Sequence, residues 1–329
     1  MIIVRLSVVA TLYRSASSLE EFHRRVRAAA AAVTDDFEIV LVNDGSPDAS
    51  LETAVALFRR DPDVVVIDLA RNFGHHKAMM TGLRRATGDL IFLIDSDLEE
   101  EPELLSTFHD AIRRTGADVV YGVQSERRGG MVERIGGWLF FKVFNALSTW
   151  PISPNLVTVR LMTRRYVDAL LEHRERETMI AGLWAITGFE QVAVPVRKHS
   201  RSASTYRFGH KIAILVNSLT SFSDRPLVLI FYLGVVIIVL SALAAAYLII
   251  RRLFFGTLLA GWASLIVSVW LLGGLTIFSI GIIGIYLSKV FLETKQRPYT
   301  IIRHTYERPS RSDAGTVSTD ARDGRSLLR

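Results

Sequence analysis

Hydrophobic and polar positions follow two alternating patterns over the first 125 residues. Runs rich in Val, Ile and Leu at 2–10, 37–42, 64–69, 90–94 and 119–123 are short, nearly unbroken and bounded by turn residues, which predicts strands buried on both faces. Between them, residues 19–33, 49–60, 75–86 and 103–114 repeat apolar side chains three and four apart, the spacing of a helix with one buried face. Such alternation predicts an α/β fold, a mostly parallel sheet with helices on both faces. One further strand is expected at 192–196.

From residue 226 the pattern changes in kind. Residues 226–250 carry no charge across 25 positions, and residues 253–288 carry none across 36. A transmembrane helix needs ~20 apolar residues, so each run predicts one span, with the turn between them near Gly256 and Gly261. Buried core helices do not account for these runs, because a core helix is shorter and keeps a polar stripe. Two more segments are amphipathic. Residues 131–150 set Trp138, Phe140, Phe144 and Leu147 against Arg134, Asn145 and Ser148; residues 208–222 set Phe208, Ile212, Leu215 and Leu219 against Lys211, Asn217 and Ser221. Either could pack on the sheet, but the second leads into the first span, which favours a helix lying at headgroup level. The predicted division is a sheet domain at 1–206, a juxtamembrane helix at 207–225, two spans at 226–292 and a mostly disordered tail at 293–329, poor in apolar residues after Ile302.

Half of the 329 residues are hydrophobic, yet Lys and Arg (39) outnumber Asp and Glu (33) for a net charge of +6. The spans explain the first property, and a membrane rather than a nucleic acid is the expected partner of the second. Residues 1–10 hold Arg5 inside a short apolar run with no small-residue cleavage site after it, so they do not read as a signal peptide. Arg225 before the first span, and Lys289, Lys295 and Arg297 after the second, predict an inner (plasma) membrane protein with both flanks cytoplasmic; Arg251 and Arg252 on the far side oppose this. The absence of Cys excludes disulfides and cysteine-metal sites.

The predicted strand ends carry the polar chemistry. Asp95-Ser96-Asp97 ends the fourth strand, and two carboxylates one residue apart suit a hard divalent cation whose other positions take phosphate oxygens. On spacing alone, a solvated strand end running into Glu99, Glu100 and Glu101 explains them as well. Asn43-Asp44-Gly45-Ser46 ends the second strand, where a carboxylate could accept from a base or ribose, or form an ordinary Asp-Gly turn. Thr11-Leu12-Tyr13 ends the first, and Tyr13 could stack on a base or pack in the core. Arg71-Asn72-Phe73-Gly74-His75-His76-Lys77 follows the third and opens a helix, a setting suited to an anion. His75 and His76 are adjacent, share no helix face and are not expected to bind a metal. All four groups belong on one edge of the sheet.

In this order the motifs resemble those of family 2 glycosyltransferases with the GT-A, Rossmann-like fold. Arg160-Leu161-Met162-x-Arg164, a basic segment at 197–211 and the two spans narrow the resemblance to membrane-anchored polyprenyl-phosphate glycosyltransferases, relatives of dolichyl-phosphate mannose synthase and of bacterial undecaprenyl-phosphate glucosyltransferases. The resemblance implies inverting transfer of one sugar from a UDP- or GDP-linked donor to a polyprenyl phosphate, with undecaprenyl phosphate the expected acceptor and Mg²⁺ or Mn²⁺ as cofactor. It implies a nucleotide-sugar site of Thr11, Tyr13, Asp44, Arg71, Lys77, Asp95 and Ser96, with Asp44 at the base. It implies a metal on Asp97 and Asp95, catalytic roles for Asp95, Asp97 and Arg201, and lipid-phosphate contacts from Arg201, Ser204, Tyr206 and Lys211. The chain departs from the family pattern at Thr158, where many members carry an acid, at Thr205, where Lys is usual, and at Glu99-Glu100-Glu101-Pro102. A phosphate acceptor is already anionic, so the reaction survives the loss of a base at Thr158.

Three rivals fare less well. A processive polysaccharide synthase carries a Gln-x-x-Arg-Trp motif, which this sequence lacks. A sugar-nucleotide pyrophosphorylase needs a Gly-rich loop after the first strand, and residues 10–18 hold no Gly. An inactive membrane scaffold is opposed by the retention of both Asp95 and Asp97. Homo-oligomerisation stays open.

Overall fold

A computed structural model describes residues 4–124, 142, 155–175, 180–197, 220, 223–255 and 261–308. The expected lipid-phosphate residues Arg201, Ser204, Tyr206 and Lys211 lie outside these, as do nearly all of both amphipathic segments and the tail beyond 308. The chain divides into two compact units, Met1–His109 joined by the segment from Thr300, and Asp110–Tyr299.

In the first unit, strands β1 (Leu6–Leu12), β2 (Phe37–Asn43) and β3 (Val64–Leu69) are buried at every position, as unbroken apolar runs in a doubly covered sheet must be. β1 pairs in parallel with β2 and with β4 (Leu90–Leu93), and β2 pairs in parallel with β3. Helices α1 (Leu19–Ala31), α2 (Ser50–Arg60) and α3 (His75–Arg85) connect them. α1 buries Leu19, Phe22, Val26 and Ala30 at helical spacing, and α3 buries Ala78, Met79 and Leu83. The amino edge of the sheet is closed by a buried polar knot. Ser7 Oγ donates to Glu38 Oε1 at 2.6 Å, and the Thr87 and Gly88 N–H groups donate to Glu38 and Ser7 at 2.7 Å each. Helix α4 (Leu104–Thr115) follows, with Phe108 edge-on to Phe92 at 6.3 Å.

The second unit holds strands β5 (Val119–Gln124), β6 (Leu156–Thr163) and β7 (Gln191–Val196), with β5 antiparallel to β6 and parallel to β7. Helices α5 (Arg164–Leu171) and α6 (Ile180–Ile186) lie between β6 and β7 in the chain. Arg160, on β6, is 1% exposed and stacks on the Trp184 indole. The unit ends in α7 (Arg225–Phe255) and α8 (Trp262–Thr294), 31 and 33 residues long. At 1.5 Å per residue they measure about 46 and 50 Å, longer than a ~30 Å hydrocarbon core. Within them Arg225–Ala244 and Ser268–Thr294 are apolar enough to cross a membrane and are not buried by protein. Near their flanks the Tyr286 hydroxyl donates to the Ser223 carbonyl at 2.5 Å.

One expectation needs correction. Within the tail read as mostly disordered, Ile302–Tyr306 forms strand β8, antiparallel to β3 at the edge of the first unit's sheet. An edge strand buries little, so Arg303, His304 and Thr305 give no apolar pattern that would announce it.

Candidate functional site

The carboxyl ends of β1, β2, β3 and β4 bring four of the sequence motifs together, all within the first unit. The Asp44 N–H donates to the Leu12 carbonyl at 3.0 Å, joining the ends of β1 and β2. The Asp44 carboxylate, 2% exposed, accepts from the N–H groups of Phe73 at 2.7 Å and Gly74 at 3.0 Å, one on each oxygen. Burial pushes this carboxyl above its usual range, against the pull of those two donors. Asp44 therefore holds residues 71–74 in shape, where the sequence reading assigns it to the base. Gly45 has φ +57°, and a Cβ there would stand 2.4 Å from the Asn72 nitrogen, so the turn and the loop are seated backbone on backbone. Arg71 is exposed and lies over the Phe73 ring at 4.0 Å, and Lys77 follows on the first turn of α3.

Beyond β4 the Asp95–Asp97 segment leaves the sheet and enters a turn at Ser96 and Asp97. Ser96 is buried: its hydroxyl donates to the Thr11 carbonyl at 2.8 Å and lies 2.9 Å from the Ser15 hydroxyl. The resemblance implies Ser96 in the nucleotide-sugar site; its hydroxyl here turns inward and ties the end of β4 to β1. Asp97 is exposed and accepts from the Glu99 N–H at 2.9 Å. Asp95 Oδ1 is buried with no hydrogen-bond partner among the described residues. His75 Nε2 stands 3.3 Å from it, close but not aligned for a hydrogen bond. His75 Nδ1 is 3.0 Å from the Thr11 hydroxyl, so the ring bridges the ends of β1 and β4 from the first position of α3.

His75 is the residue that sequence reasoning passed over. The signal was its place at the opening of a helix that follows a site loop, not its neighbour His76. Tyr13 is 49% exposed beside this edge, with the Arg14 guanidinium over its ring at 5.7 Å. No cluster of three or more His, Asp or Glu able to hold a metal occurs among the described residues. Two carboxylates one residue apart, one with an unbonded buried oxygen, still fit a cation completed by phosphate oxygens and water.

Asp48 braces the same edge. Burial would raise its carboxyl, but the hydroxyls of Ser46 and Ser50 and the N–H groups of Ala16 and Ser50 lower it to about 2. A carboxyl depressed by folding stabilises above its ordinary value of 3.8, and that stabilisation fades as pH falls from 3.8 through about 2. Asp48→Ala is expected to lower the melting temperature at pH 7, by about 1 kcal/mol of lost hydrogen bonding. The gap to wild type should hold down to pH 3.8 and narrow below it; a gap that widens in acid would contradict this role.

Elsewhere in the unit a shallow depression is lined by Glu20, Arg24, Arg27 and Arg60. Its cations are committed, Arg24 to Glu21, Arg60 to Glu20 and Arg27 to Asp61 and Asp63, so it is a salt-bridged surface.

Residues 7–171 match the glycosyl transferase family 2 profile. A Mycobacterium tuberculosis protein named among glycosyltransferases is 57% identical over 92% of this chain and 89% of its own length. The bactoprenol glucosyl transferase of Shigella phage SfV is 32% identical over 92% of this chain and 99% of its own. Among solved structures, glucosyl-3-phosphoglycerate synthase from Mycobacterium tuberculosis aligns with a TM-score of 0.46 at 18% identity, covering 66% of this chain and 79% of that one.

Proposed function

Because the chain belongs to glycosyl transferase family 2, we propose that it transfers one sugar from a UDP- or GDP-linked donor to a polyprenyl phosphate, undecaprenyl phosphate being the preferred acceptor. The observation that carries this reading is the union, in one chain, of a polar strand edge holding Asp95 and Asp97 with two long helices whose apolar windows stay unburied among the described residues. Similarity to a bactoprenol glucosyl transferase over 92% of the chain, spans included, supports the lipid acceptor.

The geometry at the strand ends supports the following assignment of roles. Tyr13 stacks on the base, and Asp44 fixes residues 71–74, whose Arg71 meets the diphosphate, as does nearby Lys77. His75, seated on Thr11, keeps Asp95 turned toward the donor. Asp95 and Asp97 would hold Mg²⁺ or Mn²⁺, which would supply positive charge for the departing diphosphate. A phosphate oxygen of the acceptor bonds to the anomeric carbon as the carbon–oxygen bond to the diphosphate breaks, and the electron pair leaves with the nucleoside diphosphate. In-line attack inverts the centre. The acceptor oxygen is already anionic, so Thr158 need not act as a base, and the chain's task is orientation and charge stabilisation. Arg201, Ser204, Tyr206 and Lys211, just ahead of α7 in sequence, meet the lipid phosphate at headgroup level.

Topology supports the same reading. β8 and β3 share backbone hydrogen bonds, and no bilayer can pass between paired strands. Residues 302–306 therefore lie on the same membrane side as the site, which requires an even number of crossings between them; α7 and α8 supply two. Arg225, Lys289, Lys295 and Arg297 favour the cytoplasm for that side, against Arg251 and Arg252 on the other.

The test is transfer by the purified full chain from UDP- and GDP-sugars to undecaprenyl phosphate, with undecaprenol as the comparison and mass spectrometry of the lipid product. A single-sugar adduct on the phosphate alone is expected. A ladder of sugars would favour a processive synthase, and equal transfer to the alcohol would overturn the phosphate acceptor.

A further inference from the structure

We infer that Arg303, on the strand that follows the second apolar helix, is a positioning residue for the nucleotide site; this rests on the donor-site reading above. Asp68 lies in the apolar strand β3 and is 2% exposed. A carboxylate so buried is costly unless paired and hydrogen-bonded. Its Oδ1 accepts from Asn43 Nδ2 at 2.8 Å, and its Oδ2 faces Arg303 Nη1 at 3.4 Å. Arg303 Nη2 also donates to the Ala70 carbonyl at 2.6 Å, while the Ala70 N–H donates to the Ile301 carbonyl at 2.8 Å.

The backbone is built to aim this side chain. Asp68 pairs with His304 but Leu69 pairs with Ile302, so Arg303 is the extra residue of a β-bulge. Bulges bend a strand and redirect one side chain.

From Arg303 two chains of contacts reach the donor edge. One runs through Ala70 to Arg71 and the loop that Asp44 holds. The other runs through Asp68 to Asn43, whose Oδ1 accepts from the Ser46 N–H at 3.3 Å, closing the Asp44–Gly45 turn. At its other end β8 is fastened by different groups. Glu307 pairs with Arg85, and Arg308 donates to the Phe58 and Arg59 carbonyls at 3.0 and 3.1 Å. Neither of these contacts touches a donor-edge loop. Arg303 and Arg308 thus hold one strand at opposite ends, and only the first sits beside the site.

The experiment compares Arg303→Ala with Arg308→Ala in the full chain, reading UDP and GDP binding with Mg²⁺ by calorimetry alongside the melting temperature. Wild type is expected to bind at least one nucleotide. Arg303→Ala should weaken that binding about tenfold or more, the scale of one lost charge-assisted hydrogen bond. Arg308→Ala should loosen the strand comparably in melting temperature while leaving nucleotide affinity within about twofold. If Arg303→Ala does not fold, Arg303→Lys, which keeps a charge opposite Asp68 but cannot also bridge to Ala70, carries the same comparison. Unchanged affinity in a folded Arg303 variant, or equal weakening by both replacements, overturns the inference. A wild-type chain that binds neither nucleotide overturns the donor-site reading, and the inference with it.

Discussion

Asp97→Ala is expected to lower sugar transfer by about a thousandfold or more while leaving the protein folded, because a cation that stabilises the leaving diphosphate is worth several kcal/mol. Asp97 is exposed and accepts a local bond from the Glu99 N–H, so replacing its side chain leaves the buried sheet intact. Asp95→Asn should be comparably inactive for a second reason. Its Oδ1 is buried and unbonded, and an amide there would present a dipole where a negative charge is wanted. Divalent-cation titration of tryptophan fluorescence, read beside circular dichroism, separates the two contributions. Both variants should stay folded and lose the cation response. Full transfer by Asp97→Ala in excess chelator would remove the metal from the mechanism.

The fold was legible where burial writes a pattern and illegible where it does not. β2, β3 and α2 fall within a residue of the ranges predicted from apolar periodicity. β1 runs to Leu12 rather than Ala10, since Thr11 is polar in sequence yet buried in the sheet. β6 escaped because Thr158, Arg160 and Thr163 interrupt it; Arg160 is held inside by stacking on Trp184 and by its Nε–H bond to the Thr158 carbonyl. β8 escaped because its partner is more than 200 residues away and its own residues are polar.

The site divides in the same way. That the strand ends would gather Thr11, Asp44, Arg71 and Asp95 follows from parallel strands alone. Which side each residue faces does not: Ser96 points inward and Asp44 toward a loop, because both lie just beyond their strands, where turns and not the strand period set direction. His75 owes its role to a meeting of α3 with the ends of β1 and β4, which local sequence does not encode.

Gly45→Ala should be the most damaging small substitution at this edge. At φ +57° any Cβ costs roughly 1 kcal/mol, and here it would also stand 2.4 Å from the Asn72 nitrogen and 2.5 Å from the Arg71 carbonyl carbon. These are backbone atoms of the loop that Asp44 holds, so no side chain can swing aside to relieve the contact. Either the turn leaves its conformation or residues 71–74 move away and surrender their bonds to Asp44. A total near 3 kcal/mol or more is expected, with nucleotide affinity falling further than the loss of stability alone implies. Gly116→Ala separates the two causes: φ there is +72°, yet nothing lies within 4 Å of the added carbon. It should show the conformational cost alone, a modest drop in melting temperature with unaltered UDP or GDP binding. Equal behaviour of the two variants would mean that the seat of Gly45 on the Arg71–Asn72 backbone does not shape the nucleotide site.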